Sequence, residues 1–214
     1  MGSTSINVLL VDDHELVRAG IEYLLNANAS INVIGVANSG EKAISLSMKL
    51  SPDVILMDLN MPGMGGSEAI KRILRKNSFA KIIALSVYDD GPIPQQVITN
   101  GAKGYLNKGC PAEEMIKAIL AVHQGKNYMS AEVATNLAFS PLDKQNVFDN
   151  LSQRELQIAT KIINGQSISD IAQFLSISPK TVNTHRYRVH EKLGIKNDIE
   201  LVRLAAEYGM LVNL

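Results

Sequence analysis

From Ile6 the chain alternates short apolar runs with segments whose apolar residues recur at helical spacing. The first run, Ile6 to Val11, ends in Asp12 and Asp13, and four similar runs follow: 31–37, 53–58, 81–86 and 104–108. A strand covered on both faces needs no alternation of apolar and polar residues, so such runs predict buried parallel strands. Between and after them the spacing predicts helices over 14–27, 40–50, 67–76, 94–100 and 112–124. Five strands alternating with five helices imply a five-stranded, doubly wound parallel sheet with helices on both faces.

After Gln124 the strand pattern stops. Residues 125–149 mix a short candidate helix at 131–137 with Ser140-Pro141 and scattered polar positions, and read as a linker. From Leu151 onward the periodicity is helical only, over 154–164, 169–175, 179–193 and 199–208. The expected organisation is an α/β domain over 1–124, a linker over 125–149 and a small all-α domain over 150–214.

Composition agrees with this division. A chain of 214 residues suits two compact domains. Hydrophobic residues at 46% and charged residues at 20% support packed cores and exclude a disordered chain. No apolar stretch reaches membrane-helix length and the N-terminus lacks a leader-like pattern, so a cytoplasmic location is expected. The single Cys110 can form neither an internal disulfide nor a cysteine-rich zinc site. A net charge of zero excludes a general polycation. Between Ser176 and Lys196, however, Lys180, Arg186, Arg188, Lys192 and Lys196 are opposed only by Glu191.

In an open parallel sheet, ligands sit beyond the carboxyl ends of the strands. The polar residues gather there: Asp12 and Asp13 after the first strand, Asn38 and Ser39 after the second, Asp58, Ser86 and Lys108 at the third, fourth and fifth. Asp12, Asp13 and Asp58 would repel one another unless a cation neutralised them, and oxygen-only ligands favour Mg²⁺. The same edge suits an incoming phosphoryl group, with Lys108 and Ser86 to meet its oxygens and one carboxylate as nucleophile. Asp58 closes the central run and is the expected nucleophile, leaving Asp12 and Asp13 as metal ligands.

In the second domain, Ser178-Pro179 reads as an N-cap followed by proline in the first turn. The preceding helix ends three residues earlier, which is the short turn of a helix-turn-helix. At 100° per residue Val182, Val189 and Leu193 share one face, while Lys180, Thr184, Tyr187 and Glu191 lie opposite, flanked by Asn183 and Arg188. Such a face offers donors for phosphates and base edges in a major groove. His185 and His190 lack carboxylate or cysteine support for a metal and are expected to pack or touch phosphate.

The set Asp12-Asp13, Asp58, Ser86 and Lys108, with the Met61-Pro62-Gly63 turn and Lys103-Gly104-Tyr105-Leu106, resembles the receiver domain of bacterial response regulators. Leu151-Ser152-Gln153-Arg154-Glu155, Gly165, Ile171-Ala172, Lys180-Thr181-Val182, His185 and Lys192-Leu193-Gly194 resemble the LuxR-type helix-turn-helix. Together they resemble the NarL/FixJ subfamily, and its GacA/UvrY branch through Thr181-Val182-Asn183 and Tyr187-Arg188. The resemblance implies Asp58 as phosphoacceptor, Mg²⁺ held by Asp12, Asp13, Asp58 and the Asn60 backbone carbonyl, Lys108 as the phosphoryl-binding lysine, and Ser86 with Tyr105 as a switch pair acting on the surface 89–101. It implies Asn183, Thr184 and Tyr187 as base readers, with Lys180, Thr181, Arg188 and Lys192 also at the DNA. The partners it implies are a sensor histidine kinase of the hybrid type, promoter DNA and a second copy of the chain. Receivers often carry Ala after the switch serine; here it is Val87. A phosphatase of the haloacid dehalogenase type would place a second Asp two residues after the nucleophile. That position is Asn60, so no general acid is present and no enzyme activity is expected.

Overall fold

The structure is a computed structural model and describes residues 5–87, 92–139, 147–208 and 210. Asp89 and Ser140-Pro141 lie outside the described residues. The described chain falls into two compact units, with the main division after Thr135.

The first unit runs β1 (Ile6–Val11), α1 (Glu15–Asn26), β2 (Ile31–Ala37), α2 (Gly40–Leu50), β3 (Val54–Asp58), α3 (Gly65–Lys76), β4 (Ile82–Ser86), α4 (Pro92–Thr99), β5 (Gly104–Asn107) and α5 (Ala112–His123). It ends in a two-residue strand, β6 (Tyr128–Met129), and leads into α6 (Ala131–Phe139). The sheet order is β2-β1-β3-β4-β5-β6 and every pairing is parallel. The sheet thus has six strands rather than the five expected. β6 falls in the segment read as linker, where Tyr128 and Met129 extend the β5 edge opposite Gly104 and Tyr105.

Successive side chains of a strand point to opposite faces. On one face Val8, Leu10, Val54, Leu56, Ile83 and Leu85 pack with Ile21 and Leu25 of α1 and Met115, Ala118, Ile119 and Val122 of α5. β1, β3 and β4 are otherwise buried along their lengths, which explains their unbroken apolar sequences. With β3 flanked by β1 and β4, the end of β3 sits in the middle of the carboxyl edge.

The second unit contains a 3₁₀ turn (Val147–Asn150) followed by α7 (Gln153–Ile163), α8 (Ile168–Phe174), α9 (Pro179–Leu193) and α10 (Asp198–Glu207). Its core includes Phe148, Leu156, Ile158, Ala159, Ile171, Leu175, Val182, Val189, Leu201 and Ala205. Phe148 meets Tyr208 edge to face, ring centroids 6.0 Å apart. Local chemistry sets the helix starts. Ser152 and Glu155 form a reciprocal capping box on α7, Ser167 caps α8, and Ser178 caps α9 with Pro179 in its first turn. α9 stops at Gly194, whose φ of 67° is left-handed and available to glycine at little cost.

Candidate functional site

The carboxyl edge of the first unit brings together the residues expected there. Asp12 follows β1 and Asp58 ends β3, and both are fully buried. Asp13 lies beside them with its side chain 18% exposed. Lys108, just past β5, places Nζ 2.8 Å from Asp12 Oδ2 and 2.7 Å from Asp58 Oδ2. One ammonium therefore stands against a cluster of carboxylates, and the pocket keeps a negative excess.

The other oxygens are held by backbone. The His14 N–H donates to Asp12 Oδ1 at 2.8 Å, and the Asn60 N–H to Asp58 Oδ1 at 2.9 Å. Asp12 Oδ2 and Asp58 Oδ2 are both taken up by the one Lys108 ammonium, and the buried Asp13 Oδ1 lies 3.1 Å from His14 Nδ1. Buried negative charge beyond what one ammonium neutralises is costly unless a further cation reaches it. Burial pushes the Asp58 carboxyl up to about 6, with Lys108 and the Asn60 N–H pulling down and Asp12 adding to the rise. Burial also works against the Lys108 ammonium, but the carboxylates of Asp12 and Asp58 outweigh it and hold the group above its ordinary value.

One oxygen from each of Asp12, Asp13 and Asp58 and one imidazole nitrogen of His14 lie within 4.8 Å of one another. This donor set, with three carboxylates against one ammonium, fits a divalent cation. Gly66 makes the local backbone possible: a Cβ there would collide with the Asp58 carbonyl oxygen, so the β3–α3 connection folds this tightly only through glycine.

Ser86 ends β4 and is fully buried, and the Lys108 N–H donates to its carbonyl at 2.7 Å. Tyr105 is fully buried as well, one of the largest side chains with no exposure. Val87 is 54% exposed.

The second unit separates the residues expected at DNA into two groups. Val182 and Val189 are fully buried, which fixes the roll of α9 about its axis. Lys180, Asn183, Thr184, Tyr187, Arg188 and Glu191 line one shallow surface depression. Tyr187 is 71% exposed although it is a large aromatic. Thr181 is half-buried, with Oγ1 2.9 Å from Ser178 Oγ at the cap.

Lys192 is placed differently. Its Nζ donates to Glu155 Oε2 at 2.6 Å and to the Asn150 carbonyl at 3.2 Å, so it staples α9 to the α7 capping box. Burial alone would raise the Glu155 carboxyl, but Lys192 and the Ser152 donors hold it below the usual carboxylate range. Sequence reasoning missed this pair; helical periodicity says where a lysine's Cα lies and not where its four-carbon stem leads. It also missed Asp198, whose Oδ1 accepts from Arg186 Nε at 2.8 Å and sits 3.0 Å from His190 Nε2. An acidic residue in the first turn of α10, after two basic residues four apart on α9, was the available signal.

Comparison with known proteins agrees with both units. Residues 8–120 match the response regulator receiver domain, and residues 149–205 match the luxR family of bacterial regulatory proteins. The chain is 45% identical over 208 residues to the response regulator UvrY of Escherichia coli, covering 96% of this chain and 95% of UvrY. It is 44% identical over 209 residues to the response regulator GacA of Pseudomonas aeruginosa, covering 96% and 98%. Among solved structures, RcsB from Salmonella enterica serovar Typhimurium, bound to a promoter in the presence of the phosphomimetic BeF3−, is similar with a TM-score of 0.69 and 27% identity, covering 95% of this chain and 100% of RcsB. A buried acidic pocket at the edge of a doubly wound sheet, a capped helix-turn-helix and these matches have one common description: the chain belongs to the response regulators, with a receiver domain followed by a LuxR-family DNA-binding domain that serves transcription regulation.

Proposed function

We propose that Asp58 is the phosphoacceptor and that its phosphorylation by a sensor histidine kinase controls dimerisation and sequence-specific DNA binding by α9. The observation that carries the reading is the fully buried Asp58 carboxylate, held on one oxygen by the Asn60 N–H and met on the other by Lys108. In the transfer, an Asp58 oxygen attacks phosphorus while the bond from phosphorus to the donor's histidine nitrogen breaks, its electron pair returning to the imidazole. Lys108 follows the charge from the carboxylate to a phosphoryl oxygen, and Ser86 supplies a hydroxyl to another. Asp12, Asp13, Asp58 and the Asn60 carbonyl would hold Mg²⁺, which when bound neutralises charge on the phosphoryl oxygens. With Asn60 in place of a general acid, turnover on free phosphate esters is negligible.

Ser86 and Tyr105 would pass the new charge to the surface 89–101, as in order–disorder and packing switches generally. For the output, Asn183, Thr184 and Tyr187 read base edges, while Lys180 and Arg188 contact phosphate and Thr181 completes the α9 N-terminus. RcsB, a structural relative, has been solved as two dimers on two parallel DNAs. A dimer of this chain would read two half-sites about one helical turn apart. The donor in this reading is a kinase of the hybrid type. The domain limits would be 1–124, a linker 125–149 and 150–214, with β6 as an edge addition to the receiver.

The test is salt-resolved binding of the full chain to promoter fragments with and without acetyl phosphate and Mg²⁺, together with intact-mass detection of the phosphoryl adduct. Wild type is expected to gain the adduct and bind more tightly. If Asp58→Asn responds to the donor as wild type does, the reading is wrong.

A further inference from the structure

His14 occupies the N-cap of α1, a position where a short polar side chain ordinarily bonds the free N–H groups of the first turn. Ser39, Ser152, Ser167, Ser178 and Asn197 do this for α2, α7, α8, α9 and α10. His14 makes no such bond. Its backbone N–H goes to Asp12 Oδ1, and its ring turns toward the carboxylates, with Nδ1 3.4 Å from Asp12 Oδ1 and 3.1 Å from Asp13 Oδ1.

Those separations have a coordination meaning. Two neighbouring ligand atoms on an octahedral ion, each at about 2.1 Å, sit about 3 Å apart. The ring is 63% exposed, so small rotations bring Nδ1 onto an ion without disturbing the core. The receiving oxygens are present: one from each of Asp12, Asp13 and Asp58 lies with a His14 ring nitrogen within 4.8 Å of one another, and Lys108 is the one ammonium set against the three carboxylates.

We propose that His14 adds a nitrogen ligand to the acidic pocket, beside its three carboxylates and the Asn60 carbonyl, and so raises its affinity for imidazole-binding first-row ions such as Co²⁺ relative to Mg²⁺. The inference rests on reading the pocket as a divalent-cation site. An oxygen-only set is matched to Mg²⁺, whereas each imidazole added favours the later first-row metals. The receiver of this chain would then load from a mixed metal pool.

The experiment titrates the full-length protein with Mg²⁺ and separately with Co²⁺ by calorimetry, and records nitrogen couplings in the pulsed electron paramagnetic resonance of the Mn²⁺ complex. The variants are His14→Ala and His14→Asn. Both keep the main-chain bond to Asp12, and asparagine is a favoured N-cap, so the second guards against loss of the helix. Expected is a Co²⁺ affinity lowered by about tenfold or more in both variants, Mg²⁺ affinity within about twofold of wild type, and loss of the nitrogen coupling. An unchanged ratio of Co²⁺ to Mg²⁺ affinity, or a nitrogen coupling that survives in His14→Ala, overturns the proposal while leaving the pocket a cation site. If Asp13→Asn binds both ions as wild type does, the cation-site reading itself falls, and the proposal with it.

Discussion

Burial and function pull in opposite directions on Asp58. Its carboxyl, raised to about 6 by burial, binds its proton more tightly in the folded chain than in the unfolded one, where the ordinary value is 3.8. That contribution to stability is fully present below about pH 3.8 and is lost as pH rises through about 6. Asp58→Asn removes the penalty of an ionised buried group. In EDTA at pH 7.5 it should unfold at higher urea than wild type, by up to about 3 kcal/mol, with the difference shrinking toward pH 4. An equal or lower midpoint for the variant at neutral pH would contradict the raised Asp58 carboxyl. Gly194 makes a smaller and separate prediction. Its φ of 67° is left-handed and a Cβ there would touch nothing within 4 Å, so Gly194→Ala should cost about 1 kcal/mol through backbone strain alone, read from the thermal midpoint of the second unit.

At the level of elements, α9 is held by contacts within its own unit. Val182 and Val189 bury its inner face, Ser178 starts it, and Lys192 fastens its far end to Glu155. Glu155→Ala removes both the reciprocal cap of α7 and the partner of Lys192, and should lower stability by about 2 kcal/mol or more in urea titrations. Because its native pKa is depressed, the Glu155 contribution is present above the ordinary glutamate value of 4.5 and is lost as pH falls through and below it. The variant and wild type should therefore converge in strongly acid solution. Most of these elements were legible beforehand. Buried parallel strands show as unbroken apolar runs, and Ser178-Pro179 marks the start of α9. β6 was not, because two residues, Tyr128 and Met129, carry no period, and the 3₁₀ turn at Val147–Asn150 has only four. In the pocket, Asp12, Asp13, Asp58, Ser86 and Lys108 could be placed because strand ends converge in this topology. The direction of the His14 ring and the inward reach of Lys192 depend on side-chain torsions, which spacing does not encode.

For the whole molecule, a formal net charge of zero means that attraction to DNA comes from where the cations lie. If Arg188 meets a phosphate, Arg188→Ala should weaken binding to all sequences alike and reduce the slope of log affinity against log salt by about 1 per half-site. Asn183→Ala should leave that slope unchanged while relaxing preference at one base position, by about 1–3 kcal/mol of discrimination. Fluorescence anisotropy across a salt series on matched and mismatched duplexes separates the two effects. Lys192→Ala serves as the internal contrast, since its ammonium is engaged by Glu155 and Asn150. It should lower stability more than it changes the salt slope.

The division of labour along α9 bears on how such a regulator diversifies. The residues facing outward, Lys180, Asn183, Thr184, Tyr187 and Arg188, are exposed, and those that hold the helix are a different set. Exposed substitutions of this kind typically shift stability by no more than about 0.5 kcal/mol. If the outward set reads the operator as proposed, it can drift to a new one after a gene duplication while the scaffold, its caps and its staple stay intact, so that a new regulon is reachable by single steps through folded intermediates.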